Sequence, residues 1–265
     1  MSFELAERTL VDRRNGLFGW AAGLTLYVVL IVSLFPTVRD SASLSAAFDE
    51  YPDVLKELLG GEDALDLTSG AGFLQAELFS LMLPLLLAVV AIGIGAAIAT
   101  DEESGFLGLV LSTPVSRSRL ILERAATITI SVTALTGVVM IVLLIAEPIV
   151  DLGLGTSNLF ATGAAIAVLV ILHGLIALSW GAATGNRGAA IGVATAAFVA
   201  GYVISAFSAL ISWLEPAEIF SPYHLALGSN PLRSGWASWQ LLALIGACFA
   251  MTAAAITVFE RRDLS

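Results

Sequence analysis

Asp101-Glu102-Glu103-Ser104-Gly105-Phe106-Leu107-Gly108-Leu109-Val110-Leu111-Ser112-Thr113-Pro114-Val115-Ser116-Arg117-Ser118-Arg119 joins two stretches, Leu78–Thr100 and Ala125–Ala146, that contain no charged residue. Each flank reaches the roughly 20 residues needed to cross a hydrocarbon core about 30 Å thick. Between them lie an acidic start, about two helical turns of apolar residues, a proline break and an arginine pair. That order describes a short helix resting at one bilayer face, with the chain entering and leaving the membrane on either side of it.

Four more charge-free stretches extend the pattern: Leu17–Pro36, Asn158–Gly185, Gly188–Leu214 and Ala237–Phe259. The 265 residues are 58% hydrophobic and 13% charged, with mean hydropathy +0.92. A soluble domain averages about 45–50% apolar and about 25% charged residues, and its buried helices are shorter than these runs. The expected fold is therefore all-α: one polytopic membrane domain over 1–265 with six transmembrane helices. The first run is longer than a signal-peptide core and precedes no small-residue cleavage site, so it is expected to be a retained helix. The single cysteine, Cys248, lies in the last run and excludes an intrachain disulfide.

Orientation follows from the basic residues. Nine of the twelve fall on one side: Arg8, Arg13, Arg14, Arg117, Arg119, Arg124, Arg187, Arg261 and Arg262. Arg39, Lys56 and Arg233 fall on the other. The positive-inside bias places both termini and the 101–119 segment in the cytoplasm of a multi-pass cell-membrane protein. Trp20, Trp180, Trp213, Trp236 and Trp239 sit toward the ends of the runs, where an indole can reach the headgroups. The net charge is −10, and between Thr37 and Glu77 nine acidic residues face two basic ones. An acidic chain is a poor partner for nucleic acid. An acidic, lysine-poor surface also suits high salt, where screening relieves self-repulsion.

Residues 1–16 have the spacing of an amphipathic helix at the inner interface, preceding a turn into the membrane. In the long outer loop, residues 37–77, Leu44, Phe48, Tyr51, Leu55 and Leu58 recur at helical intervals. Pro52 divides them into two short amphipathic helices and Gly60-Gly61 ends the second. Pro84 is expected to bend the second span. Small residues four apart (Gly93/Ala97, Gly95/Ala99, Gly163/Ala167, Gly188/Gly192/Ala196, Gly246/Ala250/Ala254) allow close helix approach in lipid.

Within the 101–124 segment, Asp101, Glu102 and Glu103 complement a helix N-terminus. Phe106, Leu107, Leu109, Val110 and Leu111 form an apolar side, and Pro114 ends the element. Ser116 is placed to cap the next helix, with Val115 stapled to Leu120. Arg117 and Arg119 then stand against the helix dipole, which calls for a compensating contact with lipid phosphate or a partner. Gly105 is expected to mark a close backbone approach. His173 is the one ionisable group deep in a span, either packed against a carbonyl or on a substrate path. Glu77 and Glu147 sit at span ends. The chain has no Gly-x-x-x-x-Gly-Lys-Ser/Thr loop, so any ATP used must be hydrolysed elsewhere.

The run Glu102-Glu103-x-Gly105-x-Leu107, followed by Ser112-x-Pro114-Val115-Ser116-Arg117, resembles the cytoplasmic signature of ABC-2 type permeases. Most of the chain resembles their antibiotic and multidrug exporters: Arg13-Arg14 and Trp20, then Ser221-Pro222-Tyr223 and Pro231-Leu232, then Phe259-Glu260-Arg261-Arg262-Asp263. Phe106 and Gly108 depart from the usual Thr and polar residue. The resemblance implies that 101–119 forms a coupling helix between helices 2 and 3, with Asp101, Glu102, Glu103, Gly105, Leu107, Pro114 and Arg117 coupling to an ATP-binding subunit. It implies no cofactor on this chain, ATP and Mg on that partner, and a homodimer or paralogous permease pair in membrane lipid. The implied function is export of an amphipathic small molecule, with no enzymatic activity of the chain's own. A permease for maturation of an exported metalloenzyme is the alternative within the family. An ATP-independent secondary transporter or channel is the alternative outside it, and would call for intramembrane charges.

Overall fold

A computed structural model of the protein describes residues 4–41, 67–105, 107, 116–208, 210–211 and 214–262. Among these the secondary structure is helical throughout, and six helices are long and apolar enough to cross a membrane. They run over Arg13–Arg39, Gly70–Glu103, Arg117–Val150, Thr156–Thr184, Arg187–Phe207 and Ser238–Arg261, here spans one to six. The helices expected over 42–66, and the 108–115 part of the expected coupling helix with Pro114 and Val115, lie outside the described residues.

Span one belongs to an unbroken helix from Glu4 to Arg39. The expected change of direction near residue 16 is absent, because nothing around Asn15 and Gly16 breaks the backbone ladder. Span three starts where Ser116 was expected to cap it: its Oγ accepts the Arg119 N–H at 3.3 Å. Spans four and five form a tight hairpin through Gly185 and Asn186, the latter capping span five by accepting the Ala189 N–H at 2.8 Å. Span five stops at Phe207, short of the expected Leu214, and a 3-10 turn over Glu215–Phe220 and helices Pro222–Leu227 and Pro231–Ser234 follow.

Span two is interrupted. A capped helical turn, Gly70–Leu74, passes into a π-helical segment, Gln75–Phe79. The ladder breaks at Leu81 (φ −146°) before helices Met82–Gly95 and Ala97–Glu103. Pro84 explains the break: it has no N–H to give the Ser80 carbonyl one turn back.

Span four is the hub, packed against spans two, three, five and six. In its most apolar window 78% of residues are buried, against 17% for span one and 11% for span six. Backbones touch where spans two and four cross, since a Cβ on Gly95 would lie 2.1 Å from the Gly174 carbonyl oxygen. Gly163 packs on Met140, while Gly93, Gly192 and Gly246 face open space. Of the small-residue rows, Gly95 of span two and Gly163 of the hub serve internal packing. Span one, which rides on span three, and the peripheral faces of spans five and six leave apolar side chains such as Leu26, Val199 and Phe249 exposed, as lipid requires.

Candidate functional site

The connectivity gathers residue 13, the base of the 101–119 segment, the 185–187 hairpin and residues 259–262 at one end of the bundle, the arginine-rich end. Span two finishes there with Gly105 at φ +75° just past the helix, its N–H donating to the Glu102 carbonyl at 2.9 Å. That conformation favours glycine at the residue that closes a helix. A Cβ on Gly105 would meet nothing within 4 Å in this chain. The glycine requirement here is thus conformational, and the expected close approach has no counterpart among the chain's own described residues.

The three acids of the segment turn inward, each to a different span. Asp101 pairs with Arg124 of span three. Glu102 takes both terminal nitrogens of Arg262, just past span six, at 2.6 and 2.8 Å. Arg262 also donates to the Ala182 carbonyl of span four at 3.3 Å. Glu103 accepts the backbone N–H of Arg187, the first residue of span five, at 2.9 Å, where the positive end of a helix favours a carboxylate. Side-chain exposures of 16% for Glu102 and 23% for Arg262 put this forked pair largely out of water, where the energetic stakes exceed those of a surface pair.

Arg117 resolves its conflict with the dipole of span three by leaving it. Its guanidinium crosses to the end of span six and donates to the carbonyls of Phe259 at 3.1 Å and Arg262 at 2.5 Å, with its Cζ 5.8 Å from the Phe259 ring centre. Carbonyls at a helix end lack intrahelical partners, and a cation there is favoured. Arg119 instead pairs one turn on with Glu123, whose side chain is buried, at 2.8 Å. Leu107 is buried against the core. The acids were expected at a helix start, facing its dipole or a partner; they instead close the helix Ala97–Glu103 at its C-terminal end. Their actual mates, Arg124, Arg187 and Arg262, were missed, since partners on separate spans leave no local spacing. The closing Phe-Glu-Arg-Arg run was noticed only as a mark of resemblance.

Gly185 ends span four at φ +63°, beneath the forked pair. A Cβ there would fall 2.5 Å from the Arg262 guanidinium and 2.7 Å from the Glu102 carboxylate. A left-handed glycine thus both turns the chain and leaves room for the pair.

The opposite end has its own fastening. Ser221 caps the 222–227 helix and donates its hydroxyl to the Gly201 carbonyl of span five at 2.7 Å. Tyr223 donates to the carbonyl of Ser80, to which Pro84, one turn on, has no N–H to offer. His224 lies 2.7 Å from Glu218; burial lowers its pKa while Glu218 acts to raise it. His173 is sealed inside, 1% exposed, with Nδ1 2.8 Å from the Leu169 carbonyl and its ring edge-on to Phe198 at 5.2 Å. Nε2 faces the Ala197 backbone without a hydrogen bond of ordinary geometry. It is not among the residues lining the grooves along span one.

Residues 6–260 match the family described as "Multidrug efflux system permease Rv1217c, C-terminal domain". No curated protein matches the chain significantly.

Proposed function

The chain belongs to the multidrug efflux permease family, and on that premise we propose that it is the membrane subunit of an ATP-driven ABC-2 type exporter for amphipathic small molecules. It is a multi-pass membrane protein, and its family is one of transport subunits. In this reading a separate ATP-binding subunit, carrying ATP and Mg, docks at the arginine-rich end. In the same reading that end faces the cytoplasm, a placement supported by the basic-residue asymmetry, and the permease works as a dimer.

The observation that carries the reading is how the base of the 101–119 segment is fastened. Its three consecutive acids hold spans three, six and five in turn, Arg262 adds span four, and Arg117 returns from the far side of the segment to span six. A displacement of the segment is carried into five of the six spans, and two of the pairs, Asp101–Arg124 and Glu102–Arg262, lie largely out of water, where breaking them is costly. A simple interfacial hairpin needs no such anchoring. The pairs act as transmitting contacts between the segment and the spans. Alternating access then follows from rigid-body shifts of the linked spans.

This role assignment has a direct test. The purified chain is expected to hydrolyse no ATP and to transport nothing, gaining both activities only when reconstituted with an ATP-binding subunit. Substrate-stimulated hydrolysis by the chain free of any other ATPase would overturn it.

A further inference from the structure

Span one presents a feature that the anchoring network leaves unused. Two open grooves share Gly16 and Trp20 in their linings and so form one trough along that helix. Toward the arginine-rich end its volume is about 590 Å³, with walls that include Leu17, Val89 and Ile94 and a mouth formed by Arg13, Asp101 and Arg187. Farther along, a volume of about 520 Å³ runs past Gly19 and Gly23 to Tyr27. Gly16 to Tyr27 is eleven residues, about 16 Å at the helical rise. That is close to the depth of one leaflet in a core about 30 Å thick. A Cβ on Gly16, Gly19 or Gly23 would meet nothing within 4 Å, so the floor is bare backbone open to a neighbour.

The charge at the mouth is unbalanced. Asp101 is taken by Arg124. Arg13 is within electrostatic reach of Arg124 and Arg187, which repel it, and of Asp101, which attracts it. Neither Arg13 nor Arg187 forms a side-chain ion pair within the described residues. Arg13, Arg124 and Arg187 against the carboxylates of Asp101 and Glu103, the latter held on the Arg187 backbone N–H, leave an excess of one positive charge beside an apolar channel. A second copy of the chain docking here about an axis along the membrane normal would bring the same basic ends together, which like charge opposes.

We propose that this trough binds a membrane phospholipid with an anionic headgroup, its phosphate between Arg13 and Arg187 and one acyl chain laid along Gly16, Gly19 and Gly23. Guanidinium groups match phosphate oxygens in fork geometry, and the glycines let the chain lie on the helix backbone. Trp20, at the join of the two grooves, lies beside the upper part of the bound lipid. The inference concerns the resting permease and does not depend on how transport is energised.

Trp20 makes the site measurable. The full chain is placed in nanodiscs of phosphatidylcholine doped with brominated phosphatidylglycerol or, separately, brominated phosphatidylcholine. The part of the fluorescence lost in Trp20→Phe reports the trough. In the unmodified protein the brominated anionic lipid is expected to quench that part preferentially, by about fivefold in relative affinity for each arginine engaged. The preference should fall toward parity in Arg13→Gln with Arg187→Gln, and in 1 M salt. Native mass spectrometry should show retained phosphatidylglycerol adducts that the paired substitution removes. Equal quenching by both lipids in the unmodified protein would overturn the proposal. So would a Trp20 shielded from both, since the trough would then be covered by a second copy.

Discussion

At the scale of single residues, the best-defined device is a carbonyl created by one residue and used by another far away in sequence. Pro84 withholds a donor from Ser80, and the Tyr223 hydroxyl supplies one. Burial raises the phenol pKa well above its ordinary value, so it remains a donor at any working pH. Tyr223→Phe should therefore cost about 1 kcal/mol of stability. In a Pro84→Ala background, where the helical N–H returns to Ser80, the same change should cost less than half as much. Thermal unfolding of the four proteins in detergent gives the cycle, and equal costs in both backgrounds would contradict it. The bend at Pro84 was legible in the sequence because proline acts locally. Its completion was not, because Ser221-Pro222-Tyr223 shows only a capped helix start and says nothing of a carbonyl on span two. Gly105 was expected to mark a close backbone approach; what the chain itself supplies is a left-handed turn at φ +75°.

At the scale of elements, long charge-free runs are read well, since lipid demands continuous apolar helix. Six were expected, and the described residues contain six. The details that differ are those set by contacts rather than composition: the π segment within span two, the early stop of span five at Phe207, and the unbroken helix through residue 16. The fastening of helix ends was invisible for the same reason. It makes a specific prediction at Gly185, where backbone and pair constrain one position. Gly185→Ala should cost roughly 1–2 kcal/mol from the left-handed backbone alone, and more from displacing Glu102 and Arg262. Gly192→Ala, which faces open space, should stay within about 0.5 kcal/mol of the unmodified protein. Thermal unfolding of both variants decides the matter, and similar losses would mean that the space under the pair is unimportant.

At the scale of the whole molecule, a buried hub helix surrounded by partly exposed neighbours gives a bundle in which peripheral spans can move against a fixed centre. Its orientation is proposed from the basic residues, and it can be tested in intact cells. In a Cys248→Ser background, Ser43→Cys should react with a membrane-impermeant thiol reagent from outside and Ser112→Cys should not; the reverse pattern would invert the topology. The central claim is that an ATP-binding subunit drives the spans through the acid-anchored base of the 101–119 segment. It is tested most directly in inverted vesicles carrying the permease with that subunit, by following ATP hydrolysis and accumulation of cationic and anionic amphiphilic dyes together. Breaking a fully buried pair costs about 3–5 kcal/mol, an upper bound for this part-buried one. Glu102→Arg should therefore cut transport more than about tenfold while hydrolysis continues, and adding Arg262→Glu should recover much of it. Transport at the unmodified rate in Glu102→Arg would mean that the segment is an interfacial hairpin and does not transmit the stroke.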